Sequence, residues 1–178
     1  RRHRGLTAAP RPTFNARVTQ PGNANVPAQK PVRLLAIASG GGHWVQLLRL
    51  RPAWEGCAVS YASVHASSAD DVPGCPYYDF TDASRRSLWR FPLVALQMLW
   101  LLLRVRPQVI VTTGAMPPLI ALVLGRLFGA RTLWVDSIAN SERLSGSGEI
   151  ARRFAHRVIT QWPGLSHGED PAYWGSVL

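Results

Sequence analysis

The stretch from residue 32 to residue 50 constrains the fold more than any other part of the chain. An apolar run, Val-Arg-Leu-Leu-Ala-Ile-Ala-Ser, leads into Gly40-Gly41-Gly42-His43 and then into the helical pattern Trp-Val-Gln-Leu-Leu-Arg-Leu. This order predicts a strand, a glycine turn and the start of a helix. Unpaired N–H groups and the helix dipole at such a start favour an anion. Glycine lets that anion approach without a Cβ in the way.

The glycine loop lacks the features of the common nucleotide-binding fingerprints. Val45 stands where the dinucleotide pattern has Gly or Ala, and Ser63 and His65 stand where an acid would hold a ribose. No Gly-Lys-Ser/Thr occurs, as a P-loop requires. We therefore interpret residues 39–43 as a generic anion loop with His43 at its mouth. The alternative interpretation is a tight turn with a helix-capping histidine.

Composition and charge limit the classes of partner. The chain has 178 residues, of which 47% are hydrophobic, and a formal net charge of +10. This length is enough for one domain with a real core. Without a Lys/Arg-rich helix face or a nucleic-acid motif, we expect no nucleic-acid partner. An anionic lipid or a phosphorylated substrate explains the positive charge more economically.

The first part of the chain differs from the rest. Residues 1–31 carry six basic residues and no acid, and they show no hydrophobic periodicity. We expect a disordered Arg-rich tail over 1–31, either a lipid-surface tether or a solvated extension, and one domain over 32–178. Cys57 and Cys75 lack metal-ligand spacing, so we expect reduced thiols in a cytoplasmic protein and no metal site. No signal-peptide core follows the first arginines.

Beyond the tail, apolar runs alternate with helical patterns, which predicts an α/β fold with a parallel sheet and helices on both faces. The predicted strands are 32–38, 57–63, 77–80, 108–112, 131–135 and 158–160. The predicted helices are 43–51, 87–105, 117–128 and 148–156. In such a sheet, ligands bind beyond the carboxyl ends of the strands.

The segment Phe91–Leu103 is apolar for 13 residues, with Gln97 its only polar break. A bilayer span needs about 20 residues, so this helix cannot cross a membrane. Arginines flank it on both sides, and such a helix can lie in the headgroup region. The alternative is a helix buried against the sheet. For membrane contact we select Arg90, Phe91, Leu99, Trp100, Leu103 and Arg104.

Two further loops follow predicted strands and complete the candidate site. The loop from Thr112 to Pro118 combines two hydroxyls with a glycine, and a proline suits the first turn of the next helix. In the loop from Asp136 to Ser147, Asp136 is a second candidate base or a cap for the following turn. The candidate phosphate- and substrate-binding residues are Ser39, Gly40, Gly41, Gly42, Thr112, Thr113, Gly114, Ser137 and Asn140.

The other histidines, His65, His156 and His167, have no recognisable partners and are expected at the surface. No Ser-His-Asp order, paired carboxylate or His/Cys cluster is evident.

Several motifs resemble one known family. They are Ala38–Leu48, Val111–Pro118, Val135-Asp-Ser137, Ser145-Gly-Ser-Gly148, Ala155, Gln161-Trp-Pro163 and Tyr173-Trp-Gly175. Together they resemble PssD/CpsF-type subunits of bacterial exopolysaccharide synthesis. That family is homologous to the membrane-recruiting subunit of the split N-acetylglucosaminyltransferase of asparagine-linked glycosylation. The resemblance covers about residues 32–178.

This resemblance implies a Rossmann-like, N-terminal half of a MurG-like GT-B glycosyltransferase, which faces the acceptor and the membrane. A separate donor-binding subunit would supply the other half. The implied reaction is inverting transfer from a UDP-sugar to a lipid-pyrophosphate-linked saccharide, at the cytoplasmic face of the inner membrane. The implied base is His43 first and Asp136 second, and no metal or cofactor is implied.

The chain departs from the family at three positions, and two other functions stay open. Asp136 replaces a usual Glu, Asn140 stands where an Arg is common, and Glu149 stands where a basic residue is usual. Donor or acceptor choice therefore differs from the family, or activity is reduced. The alternatives are a non-catalytic recruitment module for the donor-binding subunit, and a stand-alone Rossmann-like nucleotide-binding enzyme.

Overall fold

A seven-stranded parallel sheet forms the centre of the protein. The computed structural model describes residues 30–83, 87–166 and 168–177. Residues from Pro31 onward pack as one unit, and most of the expected tail lies outside the described residues. In the sheet the strands follow the order β3-β2-β1-β4-β5-β6-β7. Their bounds are β1 Arg33–Ile37, β2 Ala58–Ser63, β3 Tyr77–Asp79, β4 Val109–Thr112, β5 Arg131–Val135, β6 Arg157–Thr160 and β7 Ala172–Tyr173.

Helices cover both faces of the sheet, as the sequence predicts. The helices are α1 Gly42–Arg49, α2 Phe91–Val105, α3 Met116–Leu127 and α4 Gly146–Phe154. Strand β1 shows how one strand serves two cores, because alternate side chains point to opposite faces. Leu34 and Ala36 pack in one cluster with Trp44 and Leu47 of α1. Leu35 and Ile37, which alternate with them along the strand, pack in a second cluster with α2 and α3.

The predicted elements are confirmed with shifts of one or two residues at most ends. The predicted helix over 87–105 begins as a short 3-10 turn, Leu88–Arg90, and α2 proper starts at Phe91. Four elements of the described residues were not predicted: the 3-10 turns Arg51–Trp54 and Pro163–Leu165, the two-residue strand β7 and the 3-10 helix Ala66–Asp71. The indole of Trp44 in α1 donates to Asp71 Oδ2 at 2.8 Å, which ties that 3-10 helix to the first helix.

Strand order places the candidate site. The chain reverses direction across the sheet between β1 and its neighbour β4, since β2 lies on one side of β1 and β4 on the other. The loops that leave β1 and β4 therefore diverge, and a crevice opens between them at the carboxyl edge. The glycine loop and the loop after Thr112 flank this crevice.

Candidate functional site

A cleft of about 480 Å³ lies at the carboxyl edge of the sheet. All three predicted loops contribute to its wall, through Ser39 and Gly40, through Ala115 and Met116, and through Ser147. The opposite wall comes from the segments that follow β2 and β3, and includes His65 and Asp82. The structure therefore brings the loops together as predicted, and adds a histidine and a carboxylate that the sequence reasoning did not select.

The glycine loop has the geometry of an anion-binding turn. Gly41 has φ 64° and ψ −137°, a conformation that favours glycine, and it precedes the first turn of α1. The Gly41 carbonyl accepts from the N–H groups of Trp44 and Val45. Within the described residues, the N–H groups of Gly41, Gly42 and His43 have no acceptor. These donors, together with the positive end of the α1 dipole, suit a phosphate oxygen.

His43 does not cap the helix, so that alternative is wrong. Its Nδ1 lies 2.9 Å from the Thr113 carbonyl oxygen, and the Thr113 hydroxyl donates to the His43 carbonyl at 2.6 Å. Because a carbonyl only accepts, Nδ1 carries the proton in this hydrogen bond. The ring lies against Gly114, where an added Cβ would meet Cε1 at 2.6 Å. The hydrogen bond from Nδ1 therefore orients the ring and leaves Nε2 outside this contact.

The loop after β4 carries unusual backbone angles beside this histidine. Gly114 has φ 135° and Ala115, a residue with a Cβ, has φ 75°. Strained backbone of this kind persists where the surroundings enforce it, often at functional sites. Thr112 and Thr113 are both buried. The Thr112 hydroxyl accepts from the Gly114 N–H, and the Thr113 hydroxyl donates to the His43 carbonyl, so these two threonines hold the loops rather than line the cleft. Both Pro117 and Pro118 lie in the first turn of α3, as predicted.

His65 lies at the surface, as expected, but its ring lines the cleft. An added Cβ on Gly40 would meet the ring's Cδ2 and Nε2 at 2.5 Å. The phenol of Tyr77 donates to the His65 carbonyl at 2.5 Å. Burial raises the pKa of Tyr77, so this phenol remains a donor at neutral pH. Asp82 is exposed on the same wall. In the sequence, His65 and Asp82 each follow the carboxyl end of a predicted strand, and that position could have marked them as candidate site residues.

His156 is exposed, as expected, but it has a hydrogen-bonding partner that the sequence did not indicate. Its Nδ1 lies 2.9 Å from the Thr132 hydroxyl and accepts from the Thr132 N–H at 3.2 Å. Burial, followed by the charges of Arg126 and Arg131, lowers the pKa of His156. This favours the neutral ring that the two hydrogen bonds need. His167 lies outside the described residues.

Asp136 is only 1% exposed and organises the third loop from within. Its Oδ1 accepts from the Trp134 indole at 3.1 Å and the Ser145 hydroxyl at 2.6 Å. Its Oδ2 accepts from Asn140 Nδ2 at 3.2 Å and the Ser145 N–H at 2.9 Å. The carboxylate therefore holds the N-cap of α4, because Ser145 Oγ in turn accepts from the Gly148 N–H. No carboxylate oxygen remains free to remove a proton from a substrate.

Two buried glutamines that the sequence reasoning did not select as site residues hold the same loop. Gln46 and Gln161 both donate to the Asp136 carbonyl, at 3.1 Å and 2.9 Å. Gln161 Oε1 also accepts from the N–H of Val177, which joins the loop to the C-terminal segment. Gln46 falls on the apolar face of α1, and a polar residue at such a position could have marked it as a residue with a buried hydrogen-bonding role. Ser137 makes a local turn with its hydroxyl accepting from Ala139.

The outer face of α2 is apolar and exposed, although the inner face packs on the sheet. Val94, Met98 and Leu101 are buried in the second core cluster. Gln97 turns inward to Thr81, donating to its hydroxyl and accepting from its N–H. The exposed large side chains on this side of the protein are Trp89, Leu93, Leu96, Trp100 and Leu103, with Leu127 and Phe128 at the end of α3. Among the selected membrane residues, Arg90, Phe91 and Leu99 are half-buried.

Acidic residues are absent from both α2 and α3. The Arg90 guanidinium lies 5.0 Å from the centre of the Trp89 ring, at the start of the exposed apolar face. Arg104 is exposed at its other end. No helix in the described parts of the chain is long and apolar enough to cross a bilayer. The described residues also include no group of three His, Cys, Asp or Glu side chains that could hold a metal.

The Rossmann-like fold is similar to one half of solved GT-B glycosyltransferases. MurG of Acinetobacter baumannii superposes with a TM-score of 0.63 at 14% identity, over 78% of this chain and 44% of MurG. UDP-N-acetylglucosamine 2-epimerase of Rickettsia bellii superposes with a TM-score of 0.59 at 8% identity, over 75% of this chain and 40% of the epimerase. This chain therefore spans less than half of these solved structures, and at such identities the likeness concerns the fold.

Sequence comparison points to particular relatives. The chain is 25% identical over 177 residues to the mouse UDP-N-acetylglucosamine transferase subunit ALG14, which covers 81% of this chain and 82% of the mouse protein. The subunit of the same name from Eremothecium gossypii is 32% identical over 78 residues, 40% of this chain and 35% of that protein. No family model matches the chain. Similarity along four-fifths of both chains indicates homology to the mouse subunit.

Proposed function

We propose that the chain is the acceptor-side subunit of a two-component inverting glycosyltransferase. It would act with a donor-binding subunit to transfer a sugar from a UDP-sugar to a lipid-pyrophosphate-linked saccharide. The observation that carries this proposal is the cleft at the carboxyl edge, lined by Ser39 and Gly40 of the glycine loop and by His65, in a fold similar to one GT-B half. The mouse relative is itself named a transferase subunit, and its similarity runs along most of both chains.

The residues in the cleft and in the glycine loop beside it suggest how this chain would contribute to transfer. Nε2 of His43 would accept the proton of the acceptor hydroxyl, whose oxygen then attacks the anomeric carbon as the bond to UDP breaks. The free N–H groups of Gly41 and Gly42 would bind a phosphate oxygen of the acceptor or of the departing UDP. His65 and Asp82 are further candidates for contact with substrate hydroxyls. Asp136 would position the third loop rather than act as the base.

Membrane contact is the second part of the proposal. The exposed face of α2 would lie in the headgroup region, with Trp100 and Leu103 below the phosphates and the arginines at their level. This would hold the cleft close to a lipid-linked acceptor at the cytoplasmic face of the membrane. An exopolysaccharide or capsule pathway is the setting that the sequence resemblance suggests.

A non-catalytic recruitment role is the second candidate, favoured by one observation. The only carboxylate selected from the sequence is buried and fully hydrogen-bonded. If neither histidine takes part in proton transfer, the chain would serve to bring the donor-binding subunit to the membrane.

Sugar transfer by the assembled complex separates the two candidates. A tagged chain would be purified together with its donor-binding subunit and assayed with UDP-N-acetylglucosamine, UDP-glucose and UDP-glucuronate, on a detergent-solubilised lipid-pyrophosphate saccharide. His43→Ala is expected to lower turnover about 100-fold or more, the usual contribution of a general base, with the complex intact. His156→Ala, far from the cleft, is the control. Full turnover by both His43→Ala and His65→Ala would leave recruitment as the function.

A further inference from the structure

A second cleft lies at the opposite edge of the sheet, where β1, β4 and β5 begin. Its volume is about 520 Å³, and it is enclosed by the carboxyl ends of α2 and α3. Its wall combines two arginines, Arg33 and Arg106, with apolar side chains that include Leu103 and Phe128. None of the residues of the candidate active cleft lines this second cavity. The proposed transfer reaction therefore does not use this cavity.

The arginines give the cleft a positive charge that no acid cancels. Arg33 Nε donates to the carbonyl oxygen of Arg106 at 2.8 Å, which holds the Arg33 guanidinium beside the cleft and leaves its terminal nitrogens available. Among the described residues, neither arginine forms an ion pair, and no acidic side chain lines the cavity. The two helix ends contribute about half a negative charge each, which the two guanidinium charges exceed.

The apolar part of the wall opens toward the exposed face of α2. Leu103 is 56% exposed and Phe128 is 59% exposed, and both lie at the mouth of the cavity. Leu103 is also the last residue of the exposed apolar face of α2, so cavity and face form one continuous surface. A free inorganic anion would leave these apolar side chains in water. A phosphate that carries acyl chains would cover them and satisfy the arginines together.

We propose that this cleft binds one anionic phospholipid, with its phosphate on Arg33 and Arg106 and its acyl chains against Leu103 and Phe128. The inference rests on the proposed membrane contact and goes beyond it, since it assigns a lipid class to one site. The occupied site would fix how the protein is rotated on the membrane. It would also make attachment depend on the lipid headgroup.

Binding of a monomeric lipid tests the site without a membrane. The probe is dihexanoyl phosphatidylglycerol below its micelle concentration, titrated into the full chain and followed by calorimetry. Dihexanoyl phosphatidylcholine and inorganic phosphate are the comparison ligands. We expect saturable binding of the phosphatidylglycerol and much weaker binding of both others. Equal binding of inorganic phosphate would show that the cleft binds simple anions rather than a lipid. Equal binding of phosphatidylcholine would show that the charge of the headgroup does not matter.

Charge substitution localises the effect. Arg33→Gln with Arg106→Gln is expected to weaken phosphatidylglycerol binding about 25-fold, about fivefold for each arginine. Arg51→Gln with Arg153→Gln removes the same charge elsewhere and is expected to leave binding unchanged. Arg106→Gln alone keeps the Arg33 bond to the backbone carbonyl and should still cost about fivefold. Unchanged binding by a folded Arg106→Gln variant, or an equal loss in the control pair, would overturn the proposal.

The same variants keep this proposal distinct from the transferase proposal. Sugar transfer to a detergent-solubilised acceptor is expected to be unaffected by Arg33→Gln with Arg106→Gln, because these residues lie at the opposite edge from the cleft. Loss of lipid binding with normal transfer supports the site. Normal lipid binding by these variants rejects the site and leaves the transferase proposal standing.

Discussion

At the scale of single residues, Gly40 makes room in the cleft for the ring of His65. A Cβ on Gly40 would meet the His65 imidazole at 2.5 Å, whereas a Cβ on Gly42 would meet nothing within 4 Å. Both positions have backbone angles that other residues adopt. We expect Gly40→Ala to destabilise the protein by about 1–3 kcal/mol, the usual cost of overpacking, and Gly42→Ala to have little effect. Urea unfolding measures both.

A double substitution checks that the His65 ring is the cause. His65→Ala removes the ring, so adding it to Gly40→Ala should restore most of the lost free energy of unfolding. If the loss of unfolding free energy in the double variant equals the sum of the losses in the two single variants, the ring does not occupy the space beside Gly40.

Asp136 gives a second prediction at this scale. Replacement by Ala leaves the Trp134 indole and the Ser145 N–H without their buried acceptor. We expect the free energy of unfolding to fall by about 2–4 kcal/mol, since an unsatisfied buried donor costs about 1–3 kcal/mol. A catalytic base at the surface would instead lose turnover and keep stability. Chemical unfolding of Asp136→Ala, with Asp82→Ala as the exposed carboxylate control, distinguishes the two. Unchanged stability would contradict the positioning role.

At the scale of elements, α2 has two apolar faces, one buried and one exposed. Its inner face is buried on the sheet, and its outer face exposes Leu96, Trp100 and Leu103. Replacing these three residues by Ser should abolish sedimentation with vesicles. Transfer of each apolar side chain from water into lipid is favourable by about 1 kcal/mol or more, and Ser would lose that free energy. Ile150→Ser with Phe154→Ser, an exposed apolar pair on α4, is the matched control. Vesicle binding that survives the α2 substitutions would exclude this helix as the membrane contact.

The elements also show what the sequence could reveal. Strand β1 and the glycine loop were predictable because an apolar run, a glycine turn and a helical pattern each carry a separate signal. The carboxyl-edge wall formed by His65 and Asp82 was within reach, since both residues follow predicted strands. Strand β7 has only two residues and no periodicity, so no pattern marks it. The partners of Asp136 come from positions up to 90 residues away, which no local pattern connects.

At the scale of the whole molecule, the chain presents three candidate functional surfaces arranged around one sheet. The candidate active cleft lies at the carboxyl edge, the second cleft lies at the amino edge, and the exposed face of α2 extends between them. A helix that follows β3 and precedes β4 must run from the first edge to the second. Membrane contact along α2 would therefore bring the lipid surface close to both clefts.

Binding of donor and acceptor to the isolated chain tests the acceptor-side assignment most directly. The ligands are a detergent-solubilised lipid-pyrophosphate saccharide and UDP-N-acetylglucosamine, each titrated into the chain without its partner. We predict saturable binding of the lipid-linked saccharide and no measurable binding of the UDP-sugar. Tight binding of the UDP-sugar by the chain alone, with no binding of the saccharide, would contradict the assignment and favour a stand-alone nucleotide-binding enzyme.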